Sequence, residues 1–270
     1  MRYPRTPKLT YSRLTTIPGW LSRTDYSIMR AVLDLQSRAG ITGHALEIGA
    51  YEGRSAIAIA SGLGPGECLH VCDPFEPPPN SLKYSNDPTN YKHLARANFE
   101  ANFMRWNTTR PEIYQCLSSD LADRLAERQG QFRLVHVDGS HTYEDVRSDL
   151  QLAKSLLCSG GVVVADDYRQ LHTPGVAAAT WQAVATGLRP MLLSPGKFYG
   201  SWAPDDTFVG LLSHAVEDEH CSVNSVTMGP FQVLYANSVP SWSGKILRAL
   251  VPTGILRFLP RRVAEQIALL

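Results

Sequence analysis

The chain has 270 residues, 44% of them hydrophobic and 19% charged, with a formal net charge of +1. That length suits one domain with additions, and that apolar share supports a full core. The near-neutral charge disfavours a strong electrostatic nucleic-acid binder, and no uninterrupted apolar stretch is long enough to span a bilayer.

In chain order, residues 1–20 hold three prolines and little periodicity, and are expected to form an arm. The start is basic but lacks the apolar core of a signal peptide. Ile28, Val32 and Leu35 share a face, which predicts a helix over 22–36 with Ser22 or Thr24 as cap. A strand is expected at 45–49, ending in a glycine turn, then a helix from 55 and a second strand over 68–73. Residues 77–90 are rich in turn chemistry and read as a lid or binding loop. A helix follows at 91–103, a strand at 112–116, a helix at 119–128, a strand at 132–138, a helix at 143–157 and a strand at 161–165. A helix at 176–186 and late strands at 191–193 and 231–235 complete the pattern.

Strands alternating with helices imply an α/β fold with a doubly wound, mostly parallel, seven-stranded sheet. One domain is expected over 1–240. The tail, 241–270, mixes apolar residues with Arg248, Arg257, Arg261 and Arg262, and Pro252 and Pro260 break it into short helices. It is expected to pack on the domain or on a partner subunit, in a homodimer with no stable membrane insertion. The five cysteines, Cys68, Cys72, Cys116, Cys158 and Cys221, contain no Cys-x-x-Cys pair. They read as reduced and structural, which fits a cytoplasmic protein.

Two apolar runs end in carboxylates: 132–137 leads to Asp138, and 161–165 leads to Asp166 and Asp167. In an open α/β sheet, ligands bind outside the carboxyl ends of the strands, so the three are expected to converge. Clustered carboxylates repel unless a positive group sits among them. A hard divalent cation with oxygen ligands is the simplest such group. His141 follows closely, and histidine as a residue type suits a general base at neutral pH; His172 is the reserve, and His136 reads as buried and structural.

The stretch Glu47-Ile48-Gly49-Ala50-Tyr51-Glu52-Gly53-Arg54-Ser55 closes the first strand and opens a helix. Gly49 and Gly53 allow a tight turn and close ligand approach. The spacing differs from the Gly-x-Gly-x-x-Gly dinucleotide turn, which lowers an oxidoreductase reading. Asp73, at the end of the second strand, stands where a ribose would be held.

Glu47 to Ser55 resembles the first motif of the class I S-adenosylmethionine (SAM)-dependent methyltransferases, which have a Rossmann-like fold, with the closest similarity to catechol-type and sugar O-methyltransferases. The resemblance implies that Glu47, Gly49, Tyr51, Gly53 and Ser55 surround the methionine end of SAM, with Asp73 on the ribose and Ser118 or Ser119 on the adenine edge. Asp138 would border both cofactor and metal. It also implies that Asp138, Asp166 and Asp167 hold Mg²⁺, and that His141 stands at the general-base position, where catechol-type members carry lysine.

Residues 137–144 and 160–168 look most like members that methylate sugars in antibiotics and bacterial glycans, macrolide-sugar and mycobacterial methylmannose-polysaccharide enzymes among them. A sugar or oligosaccharide acceptor is therefore expected, with Tyr168, Tyr199 and Trp202 as stacking faces. The alternatives are a small phenol or polyketide hydroxyl as acceptor, or a non-catalytic SAM-fold partner subunit.

Overall fold

The structure is a computed structural model that describes residues 9–75, 96–204, 206–218 and 221–238. The expected loop at 77–90 and the tail at 241–270 lie outside the described residues. The described strands are β1 (His44–Ile48), β2 (Leu69–Cys72), β3 (Glu112–Tyr114), β4 (Phe132–Val137), β5 (Leu157–Ala165), β6 (Arg189–Leu193), β7 (Phe198–Ser201), β8 (Cys221–Met228) and β9 (Phe231–Ser238). The helices are α1 (Tyr11–Leu14), α2 (Arg23–Arg38), α3 (Arg54–Ala60), α4 (Arg96–Met104), α5 (Leu121–Arg124), α6 (Tyr143–Leu156), α7 (Pro174–Ala185) and α8 (Asp206–Asp218). Short 3-10 turns at Ser118–Asp120 and Ala126–Arg128 flank α5, so the helix expected over 119–128 is broken into three pieces.

The strands join one sheet in the order β3-β2-β1-β4-β5-β7-β6-β9-β8. β1 to β5 pair in parallel, while β7 runs antiparallel to both β5 and β6. The chain order steps from β3 back to β1 and then out through β4, which is the doubly wound crossover expected from the alternating pattern. The sheet exceeds the expected seven strands by β7, which inserts between β5 and β6, and by β8, which pairs with β9 as a hairpin at the outer edge.

The central strands are buried on both faces and divide their side chains between two apolar layers. Leu134, Val162 and Val164 face the side of α2 and α3, with Ile28, Val32 and Ile57. Val135, Val163 and Ala165 face α6 and α7, with Val146, Leu150 and Val176. Such runs carry no alternation because both faces are covered, and each fully buried valine or leucine contributes roughly 1.5–3 kcal/mol.

The N-terminal segment belongs to this core from residue 9 on. Leu14, Ile17 and Leu21 are buried, and Arg54 Nε donates to the Ile17 carbonyl at 2.7 Å. Ser22 caps α2 by accepting from the Asp25 N–H at 3.0 Å. A buried ion pair, Arg133 with Glu67 at 2.6 Å, ties the start of β4 to the turn before β2. All five cysteines are free thiols, and among the described residues no helix is long and apolar enough to cross a membrane.

Candidate active site

The carboxyl ends of β1, β2, β4 and β5 form one edge, and the backbone is unusual along it. Tyr51 after β1, Phe75 after β2 and Asp167 after β5 all have positive φ, at 51°, 56° and 58°. Left-handed backbone at non-glycine residues is costly and tends to gather at functional sites.

The glycine turn is shaped by its neighbours. Gly49 has φ 85°, and a Cβ there would stand 2.1 Å from the Asp138 carbonyl oxygen. The glycine thus admits the β4 backbone as well as any ligand. Gly53 has φ 97° and caps α3 without a side-chain bond.

Asp73 is buried and its carboxylate gathers three backbone donors: Ala50 N at 2.7 Å, Tyr51 N at 3.0 Å and Phe75 N at 2.6 Å. The residue expected on a ribose therefore also locks the turns after β1 and β2. A carboxylate has about four lone-pair sites, so room remains for one hydroxyl rather than two. Ser118 is half-buried and Ser119 exposed, both in the 3-10 turn after β3.

Glu47 is fully buried. Its Oε1 accepts from Ser55 Oγ at 2.5 Å and lies 3.2 Å from His136 Nδ1, while Oε2 has no hydrogen-bond partner. His136 and Glu47 are direct partners across β4 and β1. His136 is buried, as expected, but its far nitrogen faces Lys197: Nε2 is 3.1 Å from the ammonium.

In the sequence, Lys197 stands out only as the start of a stretch, 197–202, polar enough to line a cleft, and has no role of its own. It is 2% exposed, and its ammonium meets Asp166 Oδ2. Burial alone would push the lysine pKa down, yet Asp166, Asp138 and Asp25 hold it above the ordinary value. Burial alone would raise the Asp166 carboxyl; the Lys197 ammonium and the Asp167 N–H outweigh this and hold it below the ordinary range.

The three carboxylates expected to hold a metal meet different partners. Asp166 has one oxygen on Lys197 and the other accepting from the Asp167 N–H at 2.8 Å. Lys197 is thus the positive group that Asp166 meets, and Asp166 also shares a group of possible metal ligands with His136 and Asp138. Asp138, His141 and Asp167 form a second such group, sharing Asp138 with the first, and its ligand atoms lie within 4.8 Å of one another. Two carboxylates of this kind fit Mg²⁺, which keeps several waters and takes one or two protein carboxylates. His141 Nε2 is 3.3 Å from Asp167 Oδ2, and both side chains are about one-third exposed, 32% and 29%.

The aromatic expectations need correction. Tyr199 is fully buried and donates from its hydroxyl to Asp25 Oδ1 at 3.1 Å. Tyr168 is 4% exposed and packs edge-on against Trp181 and Phe198. Burial pushes its hydroxyl up to about 12. Neither ring presents a face to a sugar; both belong to the core. Trp202 is half-buried against the same layer. His172 sits exposed in the loop before α7.

Residues 46–168 match the family described as a methyltransferase domain. No curated relative matches the chain. Among solved structures, a protein from Corynebacterium glutamicum is 18% identical, covering 72% of this chain and 87% of that one, with a TM-score of 0.50. The O-methyltransferase NovP is 14% identical over 67% of this chain and 80% of its own, with a TM-score of 0.51. CalS11, a TDP-rhamnose 3'-O-methyltransferase of calicheamicin biosynthesis, is 19% identical over 73% and 88%, with a TM-score of 0.48. The matched segment 46–168 is thus a methyltransferase domain, and the chain has a class I, Rossmann-like methyltransferase fold.

Proposed function

We propose that the chain transfers the methyl group of SAM to a sugar hydroxyl, in bacterial glycan or glycosylated natural-product biosynthesis, with His141 as general base and Mg²⁺ at Asp138 and Asp167. The observation that carries this is the cluster of Asp138, His141 and Asp167 at the same strand edge as Glu47 and Asp73. The sugar acceptor rests on the motif likeness of residues 137–144 and 160–168 to sugar-methylating enzymes, and methyl transfer to oxygen also draws on the fold shared with NovP.

Glu47 holds the ammonium of SAM with its open oxygen, and Asp73 holds a ribose hydroxyl. Ser118 or Ser119 borders the adenine. A hydroxyl is a poor nucleophile until it loses its proton, and His141 takes that proton. For Nδ1 to accept it, Nε2 must carry a hydrogen, and Asp167 Oδ2 at 3.3 Å is the acceptor that keeps it there. The contact is long for a hydrogen bond, as catalytic contacts often are before substrate binds. When bound, the metal would act as a Lewis acid towards the acceptor oxygen.

The test is methyl transfer from labelled SAM to a panel of mono- and oligosaccharides and to a catechol, with Mg²⁺ and with EDTA. Labelled sugar that disappears with EDTA is the expected result. Labelled catechol in place of sugar would move the acceptor to a phenol, and transfer that survives EDTA would remove the metal. SAM binding without transfer to any hydroxyl would return the non-catalytic subunit reading. Sedimentation of the same sample tests the proposed homodimer.

A further inference from the structure

The ammonium of Lys197 lies between two acceptors, Asp166 Oδ2 and the fully buried His136 Nε2. An ammonium only donates, so His136 Nε2 must accept, and the single hydrogen of a neutral ring is left on Nδ1. That nitrogen stands 3.2 Å from Glu47 Oε1, the oxygen that Ser55 also approaches. Two donors thus converge on one oxygen of Glu47. The other, Oε2, is buried with no hydrogen-bond partner, and His136 Nδ1 is close to Oε1 without a well-formed bond. A buried carboxylate oxygen left this way is costly and calls for a donor. With the opposite tautomer, an N–H would face the ammonium and Glu47 would face a bare nitrogen.

We propose that Lys197 is a positioning residue for the cofactor: through His136 it holds Glu47 with Oε2 presented to the ammonium of SAM. The inference rests on the reading of Glu47 as the holder of that ammonium. Lys197 touches neither cofactor nor acceptor in this arrangement. It acts from the turn before β7, on the far side of His136 from Glu47. Asp166 keeps the ammonium in place, which gives the first carboxylate of the acidic pair a role without a metal.

The experiment compares two ligands by calorimetry on the wild type and Lys197→Met. S-adenosylhomocysteine carries the ammonium; 5'-methylthioadenosine lacks the amino-acid end. The expected result is a dissociation constant for the first raised by about tenfold or more, with the second unchanged. Equal loss of both ligands would show a merely structural lysine and overturn the proposal, as would unchanged binding of S-adenosylhomocysteine. Binding of neither ligand by the wild type would instead remove the cofactor reading beneath it.

Removing one partner of a buried pair strands the other charge. If Lys197→Met does not fold, Asp166→Asn/Lys197→Met is compared with Asp166→Asn/Lys197→Gln. Both lack the stranded charge, but only the second retains a donor to His136. The glutamine pair is expected to bind S-adenosylhomocysteine more tightly, with methylthioadenosine binding equal in the two. Equal affinity of the pairs for S-adenosylhomocysteine would overturn the proposal.

Discussion

Gly49 and Asp138 meet backbone to backbone where β1 and β4 end, so close that a Cβ on Gly49 would stand 2.1 Å from the Asp138 carbonyl oxygen. The same glycine has φ 85°. Gly49→Ala therefore combines a left-handed alanine with a backbone clash, and is expected to destabilise by about 2–5 kcal/mol. Urea unfolding of the variant measures this; a loss under 1 kcal/mol would mean that the two strand ends separate easily.

His141 and Asp167 act on the proton of the acceptor. His141→Ala is expected to slow the chemical step by about 10²-fold or more, read in single-turnover methyl transfer. Asp167→Asn should lose both the orientation of that ring and a metal carboxylate, so its rate should also fall at saturating Mg²⁺. A wild-type single-turnover rate in His141→Ala would move the base to His172.

Asp73 joins cofactor binding to local stability. Asp73→Ala strands the N–H groups of Ala50, Tyr51 and Phe75. It should weaken SAM binding and also cost about 1–3 kcal/mol of stability through the lost donors' partner. Thermal melting without ligand separates the two effects. Weaker SAM binding at an unaltered melting temperature would assign the residue to the ribose alone.

Tyr199 tests the division between core and acceptor cleft. Tyr199→Phe removes the hydroxyl that donates to Asp25 and leaves the ring in place. It should lower stability by about 1 kcal/mol with the acceptor KM unchanged. A raised KM with unchanged stability would return this ring to the acceptor site.

His70 makes the fold acid-sensitive away from the active edge. Burial pushes its imidazole down to about 4, against the opposing Glu112 carboxylate at 3.5 Å. The unfolded chain therefore takes up this proton first as pH falls. The contribution is full above about pH 6.5 and is lost on the way down to about 4, on the order of 3 kcal/mol. Unfolding at pH 7 and pH 4.5 should show a smaller acid loss for His70→Phe than for the wild type; equal losses would place the sensitivity in another group.

Most of the parallel half of the sheet was legible because its strands are short apolar runs bounded by turns and separated by periodic helices. The acidic edge was legible for the same reason, since Asp73, Asp138, Asp166 and Asp167 each follow such a run. Lys197 was not, because it precedes its strand. β7 runs antiparallel, so its first residue reaches the edge that parallel strands reach with their last. Tyr168 and Tyr199 look like cleft aromatics in the sequence. Their burial depends on Trp181, Phe198 and Asp25, contacts between distant segments that no local pattern shows. The β8 strand was missed because its outer position leaves it mostly exposed, with no apolar run to mark it.

Surface hairpins are usually where families accept insertions and deletions. The connection from β6 to β7 is an exception in this chain. It spans Ser194 to Lys197; Ser194 N donates to the Lys197 carbonyl at 2.9 Å, and Ser194 Oγ reaches Asp25 at 2.5 Å. A single residue added or removed there would withdraw a buried positive charge from its acidic partners. Among related chains that keep this lysine, the hairpin is expected to hold a constant length even where neighbouring loops vary freely.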